Sequence, residues 1–151
     1  MVHVLFLFNL PTEPQGTIIL NIMDAKLKSH FINIYCMILA DGKVDQEEIN
    51  SMYRIGREYY GVQPEELNQL IISGDVVFYK PEDATKRILY LYDLAQVATS
   101  DGVVTAAERM LLEKYAQKFD VEEEQVSPLI NKLIECAEKG LSQKELLELF
   151  A

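Results

Sequence analysis

The chain has 151 residues, and its 24 Asp and Glu against 14 Lys and Arg give a formal net charge of −10. That balance excludes a phosphate-backbone binder, which needs clustered Lys and Arg, and a surface suited to anionic membranes; it favours cations and basic partners. With 49% hydrophobic and 25% charged residues, the composition is that of one soluble globular domain, and a chain of this length buries enough surface to fold without disulfide staples.

Val2 to Leu10 is apolar except for His3 and Asn9, and Pro11 and Pro14 follow. The run is too short to span a bilayer, and it lacks the basic region and small-residue cleavage site of a signal peptide. Residues 1–15 therefore read as an apolar arm appended to a helical domain over 16–151. Exposed alone, such a run would be a hydrophobic patch, so the arm is expected to pack on the domain or to pair two copies as a homodimer. Met23 is a second candidate start. No direct membrane insertion is expected, and the two cysteines, Cys36 and Cys136, are outside any CxxC pair and read as buried free thiols of a cytoplasmic protein.

From residue 17 onward nearly every segment has helical periodicity. Thr17 to Lys28 is weakly helical. His30 to Ala40 carries Phe31, Ile34, Tyr35, Ile38 and Leu39 at helical spacing and reads as a buried central helix. Asp41-Gly42 ends it. A helix from about Gln46 to Tyr60 follows, then another opened by Pro64, Glu65 and Glu66. Lys80 to Asp83 starts a second half, with a long apolar helix over 84–100 closed by Asp101-Gly102. Helices over 106–119 and about 122–139 follow, the latter with Pro128 as a kink or a displaced start. A short helix through Phe150 ends the chain. The expected fold is all-α, a bundle of about seven helices.

The chain writes one motif twice. Residues 41–48 read Asp-Gly-Lys-Val-Asp-Gln-Glu-Glu, and residues 101–108 read Asp-Gly-Val-Val-Thr-Ala-Ala-Glu. Matched helices flank each copy, so two related three-helix halves are expected, over about 24–73 and 82–139.

Capping accounts for much of the motif. Asp45 and Thr105 suit helix N-caps, and Glu48 and Glu108 fall three residues later, at capping-box spacing; Val44 and Val104 read as core anchors. Asp41 and Asp101 are left over. Each ends a helix, where the macrodipole disfavours a carboxylate by roughly 0.3–1 kcal/mol. Two compensations remain open: a cation shared between the two turns, or a local turn in which each Asp accepts a backbone N–H.

The doubled Asp-Gly-x-Val-(Asp/Thr)-x-x-Glu between apolar helices resembles the tellurite-resistance TerB-like family over roughly residues 24–139. The resemblance implies a divalent-cation site built from the two acidic turns, with Asp41, Asp45, Glu48, Asp101, Thr105 and Glu108 as its candidate ligands. It also implies a stress-response or scaffolding role beside an unidentified protein partner, without catalysis. The donors are all oxygen, which favours Ca²⁺ or Mg²⁺ over Zn²⁺, whose usual ligands are His and Cys. The alternative is a metal-free interaction scaffold whose acidic turns are only caps.

Several polar residues lie outside the motif. Asp93 stands eight residues before Asp101, as Asn33 stands before Asp41; the two read as a polar pair between the central helices, or as support for the acidic cleft. His3 and His30 are not at ligand spacing. Tyr59, Tyr60, Tyr90 and Tyr92 sit mostly at core phases, with a partly exposed patch as the alternative. No nucleophile stands near a base, and no phosphate-cradling glycine loop is present, so no enzymatic activity is expected.

Overall fold

A computed structural model describes residues 23–74 and 76–150. The apolar arm and its expected role in dimerisation lie outside those residues. The described chain forms seven helices: α1 (Ala25–Ile38), α2 (Gln46–Tyr60), α3 (Pro64–Ser73), α4 (Ala84–Thr99), α5 (Ala106–Lys118), α6 (Glu123–Glu138) and α7 (Gln143–Phe150). The expected all-α class is correct, and no strand occurs among the described residues.

Two helices make the centre. α4 is buried without interruption from Tyr90 to Ala98, and α1 is buried over most of Ser29 to Ile38. Over these stretches both sequences are apolar on most sides, with Ser29, His30, Asn33, Asp93 and Gln96 as buried polar exceptions. α4 packs against α1, α2, α5, α6 and α7, while α3 closes on α1 and α2. Asp24 caps α1 by accepting the Leu27 N–H, and Asp83 caps α4 by accepting the Lys86 N–H.

The sequence suggested a weak helix ending at Lys28 and a separate one from His30. The two are continuous from Ala25. Ser29, between them, is buried inside the helix, where its hydroxyl accepts the Tyr79 N–H at 2.9 Å and so ties the 76–80 crossover to α1. Pro128 lies within α6 and does not displace its start. Its missing N–H leaves only the carbonyl four residues back unpaired, and both Pro128 and Glu124 are exposed, so water can serve that carbonyl.

The turn after α1 contains Gly42 at φ 82°, and the turn after α4 contains Gly102 at φ 89°. That left-handed conformation costs an ordinary residue about 1–2 kcal/mol. Gly56 is needed for a different reason. A Cβ there would stand 3.1 Å from Leu67 Cδ1 and 3.4 Å from the Val62 carbonyl oxygen, so its absence lets α3 approach α2. Cys36 on α1 and Cys136 on α6 are buried and unpaired, as expected.

Candidate functional site

The two acidic turns are built in the same way up to a point. Asp41 Oδ1 accepts the Lys43 N–H at 3.0 Å, and Asp101 Oδ1 accepts the Val103 N–H at 3.0 Å. Each carboxylate is therefore held by its own turn, the second of the two compensations open in the sequence. Asp45 then caps α2, its Oδ1 accepting the N–H groups of Glu47 at 2.8 Å and Glu48 at 3.3 Å. Thr105 caps α5 by accepting the Glu108 N–H at 3.1 Å, and Glu108 Oε1 accepts the Thr105 N–H at 2.9 Å. That is a complete capping box.

The first turn has no such closure. Glu48 is 2% exposed, and its Oε2 has no hydrogen-bond partner among the described residues. Val44, expected as a core anchor, is instead 57% exposed. The buried side chain of this turn is an acid, because Glu48 turns inward at the first turn of α2 while Val44 precedes the helix.

What Glu48 meets there is Glu108. Glu108 is 1% exposed. Burial pushes the Glu48 carboxyl far above its ordinary range, and the hydrogen bond to Glu108 and the charges of Glu108, Asp101 and Asp45 push the same way. Two carboxyl groups packed together out of water cannot both ionise cheaply, so the protonated form of Glu48 is favoured. Of the six candidate ligands, Glu48 and Glu108 come together; Asp45 and Asp101 act on Glu48 by charge; Thr105 orients Glu108; Asp41 stays exposed on its own turn. No group of three His, Cys, Asp or Glu side chains among the described residues is arranged to hold a metal ion.

No family model, no curated protein and no solved structure matches the chain.

A second polar cluster lies in the core. Asp93 on α4 is completely buried. Its Oδ2 lies 2.9 Å from His30 Nε2 and accepts the Tyr60 hydroxyl at 2.6 Å, while its Oδ1 accepts from Gln143 Nε2 at 2.8 Å. His30 stacks on Tyr90 at 3.7 Å between ring centroids. Asp93 therefore pairs with His30 rather than with Asn33, and it belongs to a different site from the acidic turns. The cluster resembles an acid–base constellation, but His30 and Asp93 have no exposed side-chain surface, so no substrate reaches them. It joins α1, α2, α4 and α7. Tyr60 is part of it, its phenol pushed up by burial and by the Asp93 charge; Tyr90 and Tyr92 are buried while Tyr59 and Tyr60 are half-buried, so the four tyrosines do not form one exposed patch. An acid inside an apolar helix was the signal in the sequence; its partners lie 33 to 63 residues away and left none.

Proposed function

We propose that this chain is a TerB-like divalent-cation-binding helical module, acting in a stress response or as a scaffold and not as an enzyme. The observation that carries this reading is the buried Glu48–Glu108 pair, with Glu48 Oε2 lacking a partner. A buried acid in that position is costly unless something compensates it, and a cation is one such thing. The residues present suit a hard cation. Glu48 and Glu108 would hold it, with the charges of Asp45 and Asp101 adding to the attraction, and the all-oxygen set favours Ca²⁺ or Mg²⁺ over Zn²⁺. Bound there, the ion would neutralise the carboxylates and clamp α2 to α5.

Thermal melts in EDTA and in millimolar Ca²⁺ or Mg²⁺ test it. At a hundredfold excess over Kd the ion would add about 2.7 kcal/mol, a rise of roughly 5–10 °C for a chain of this size. Glu48→Gln with Glu108→Gln should abolish the rise. Equal melting with and without divalent ions would leave the caps-only scaffold. That second reading has its own support: Asp41, Asp45, Asp101 and Thr105 all accept backbone N–H groups without any ion.

A further inference from the structure

A groove of about 530 Å³ opens between α2, the C-terminal end of α4 and the α6–α7 connection. That volume lies within the roughly 300–1,000 Å³ range of small-ligand sites. Two of its lining residues carry buried oxygens with no hydrogen-bond partner among the described residues: Ser51 Oγ on α2 and Gln96 Oε1 on α4. Ser51 is 6% exposed and Gln96 8%. The Gln96 amide cannot be turned to hide its oxygen, because its Nε2 donates to the Leu141 carbonyl at 3.3 Å; reversing it would set oxygen against oxygen. That carbonyl already receives the Tyr92 hydroxyl as well. Buried polar atoms are almost always satisfied, and these two oxygens leave acceptor capacity at one groove for a hydrogen-bond donor.

Charge narrows the donor. Glu47 on α2 and Glu138 on α6 both line the groove. Arg54 and Glu58 also line it and pair with each other along α2, and Lys139 beside the groove pairs with Glu135, which leaves Glu47 and Glu138 without an ion-pair partner among the described residues. Glu138 is also the last residue of α6, where the macrodipole disfavours a carboxylate and a cation would relieve it. Its apolar lining is Ala137, Leu141 and the ring of Tyr59. We infer that this groove binds an organic cation rich in hydrogen-bond donors, a guanidinium or primary ammonium of amino-acid to dipeptide size, with Glu47 and Glu138 attracting the charge and Ser51 and Gln96 accepting its N–H groups. The groove is separate from the Glu48–Glu108 pair and requires no metal.

Two-dimensional amide NMR of the full chain in EDTA tests this with three probes, each acetylated at its α-amino group: arginine amide, its neutral isostere citrulline amide, and the peptide acetyl-Gly-Arg-Gly-amide. Saturable shifts centred on the Ser51, Gln96 and Leu141 amides are expected with arginine amide and not with citrulline amide. Shifts with the peptide alone would mean that the same cation arrives on a polypeptide. Glu47→Gln with Glu138→Gln, both on exposed side chains, should weaken binding about tenfold. Gln96→Met, similar in volume, should weaken it further while the circular-dichroism spectrum holds. No saturation by arginine amide or the peptide at 10 mM, equal binding of citrulline amide, or full affinity in the double variant would overturn the inference.

Discussion

At the scale of the residue, Glu48 gives the protein a pH dependence of unusual sign. Its carboxyl is raised in the folded state to about 9 and has an ordinary value near 4.5 when exposed. The folded chain therefore binds the extra proton. The stability this contributes is whole below the ordinary value and is lost as pH rises through the raised one, by at most about 1.4 kcal/mol per unit. In EDTA, the wild type should lose stability between pH 5 and 9 relative to Glu48→Gln, which keeps a neutral side chain of the same shape. Urea unfolding at several pH values measures the difference, and parallel profiles would refute it. Thr105 offers a simpler case: Thr105→Ala removes the α5 cap and should cost about 0.5–2 kcal/mol. The Thr105–Glu108 box was legible in the sequence because its spacing is local. The fate of Glu48 was not, because the spacing for a cap is identical whether the acid folds back on its own backbone or meets another acid from 60 residues away.

At the scale of the element, the polar core cluster explains how the shortest helix is held. α7 has eight residues and one fully buried apolar side chain, Leu146, too little to dock it firmly. Gln143, its first residue, reaches Asp93. Gln143→Ala should cost about 1–2 kcal/mol and raise amide hydrogen exchange in α7 well before the rest of the bundle opens. Asp93→Ala leaves His30, Tyr60 and Gln143 without their shared acceptor and should cost several kcal/mol. Helix existence was legible throughout, since apolar periodicity and caps are both local signals; α2 through α7 lie within a residue or two of their expected bounds. The join at Ser29 was not legible. A serine looks like a break in a sequence, and only the Tyr79 N–H above it makes it an ordinary interior residue.

At the scale of the whole molecule, a net charge of −10 repels itself in the folded state. Salt screens that repulsion over about 10 Å at 0.1 M, so the melting temperature in EDTA should rise between 10 mM and 0.5 M NaCl. A fall would mean that the surface ion pairs outweigh the repulsion. No helix among the described residues is long and apolar enough to cross a membrane.

The two unpaired thiols have a practical consequence. Burial raises the Cys36 thiol to about 11, so at neutral pH almost none of it is the reactive thiolate. Cys136 is equally enclosed, on a different helix. A maleimide added to the native protein can modify either sulfur only when the surrounding helices part. The order in which the two are alkylated would therefore report whether α1 or α6 opens first, with no label engineered into the chain.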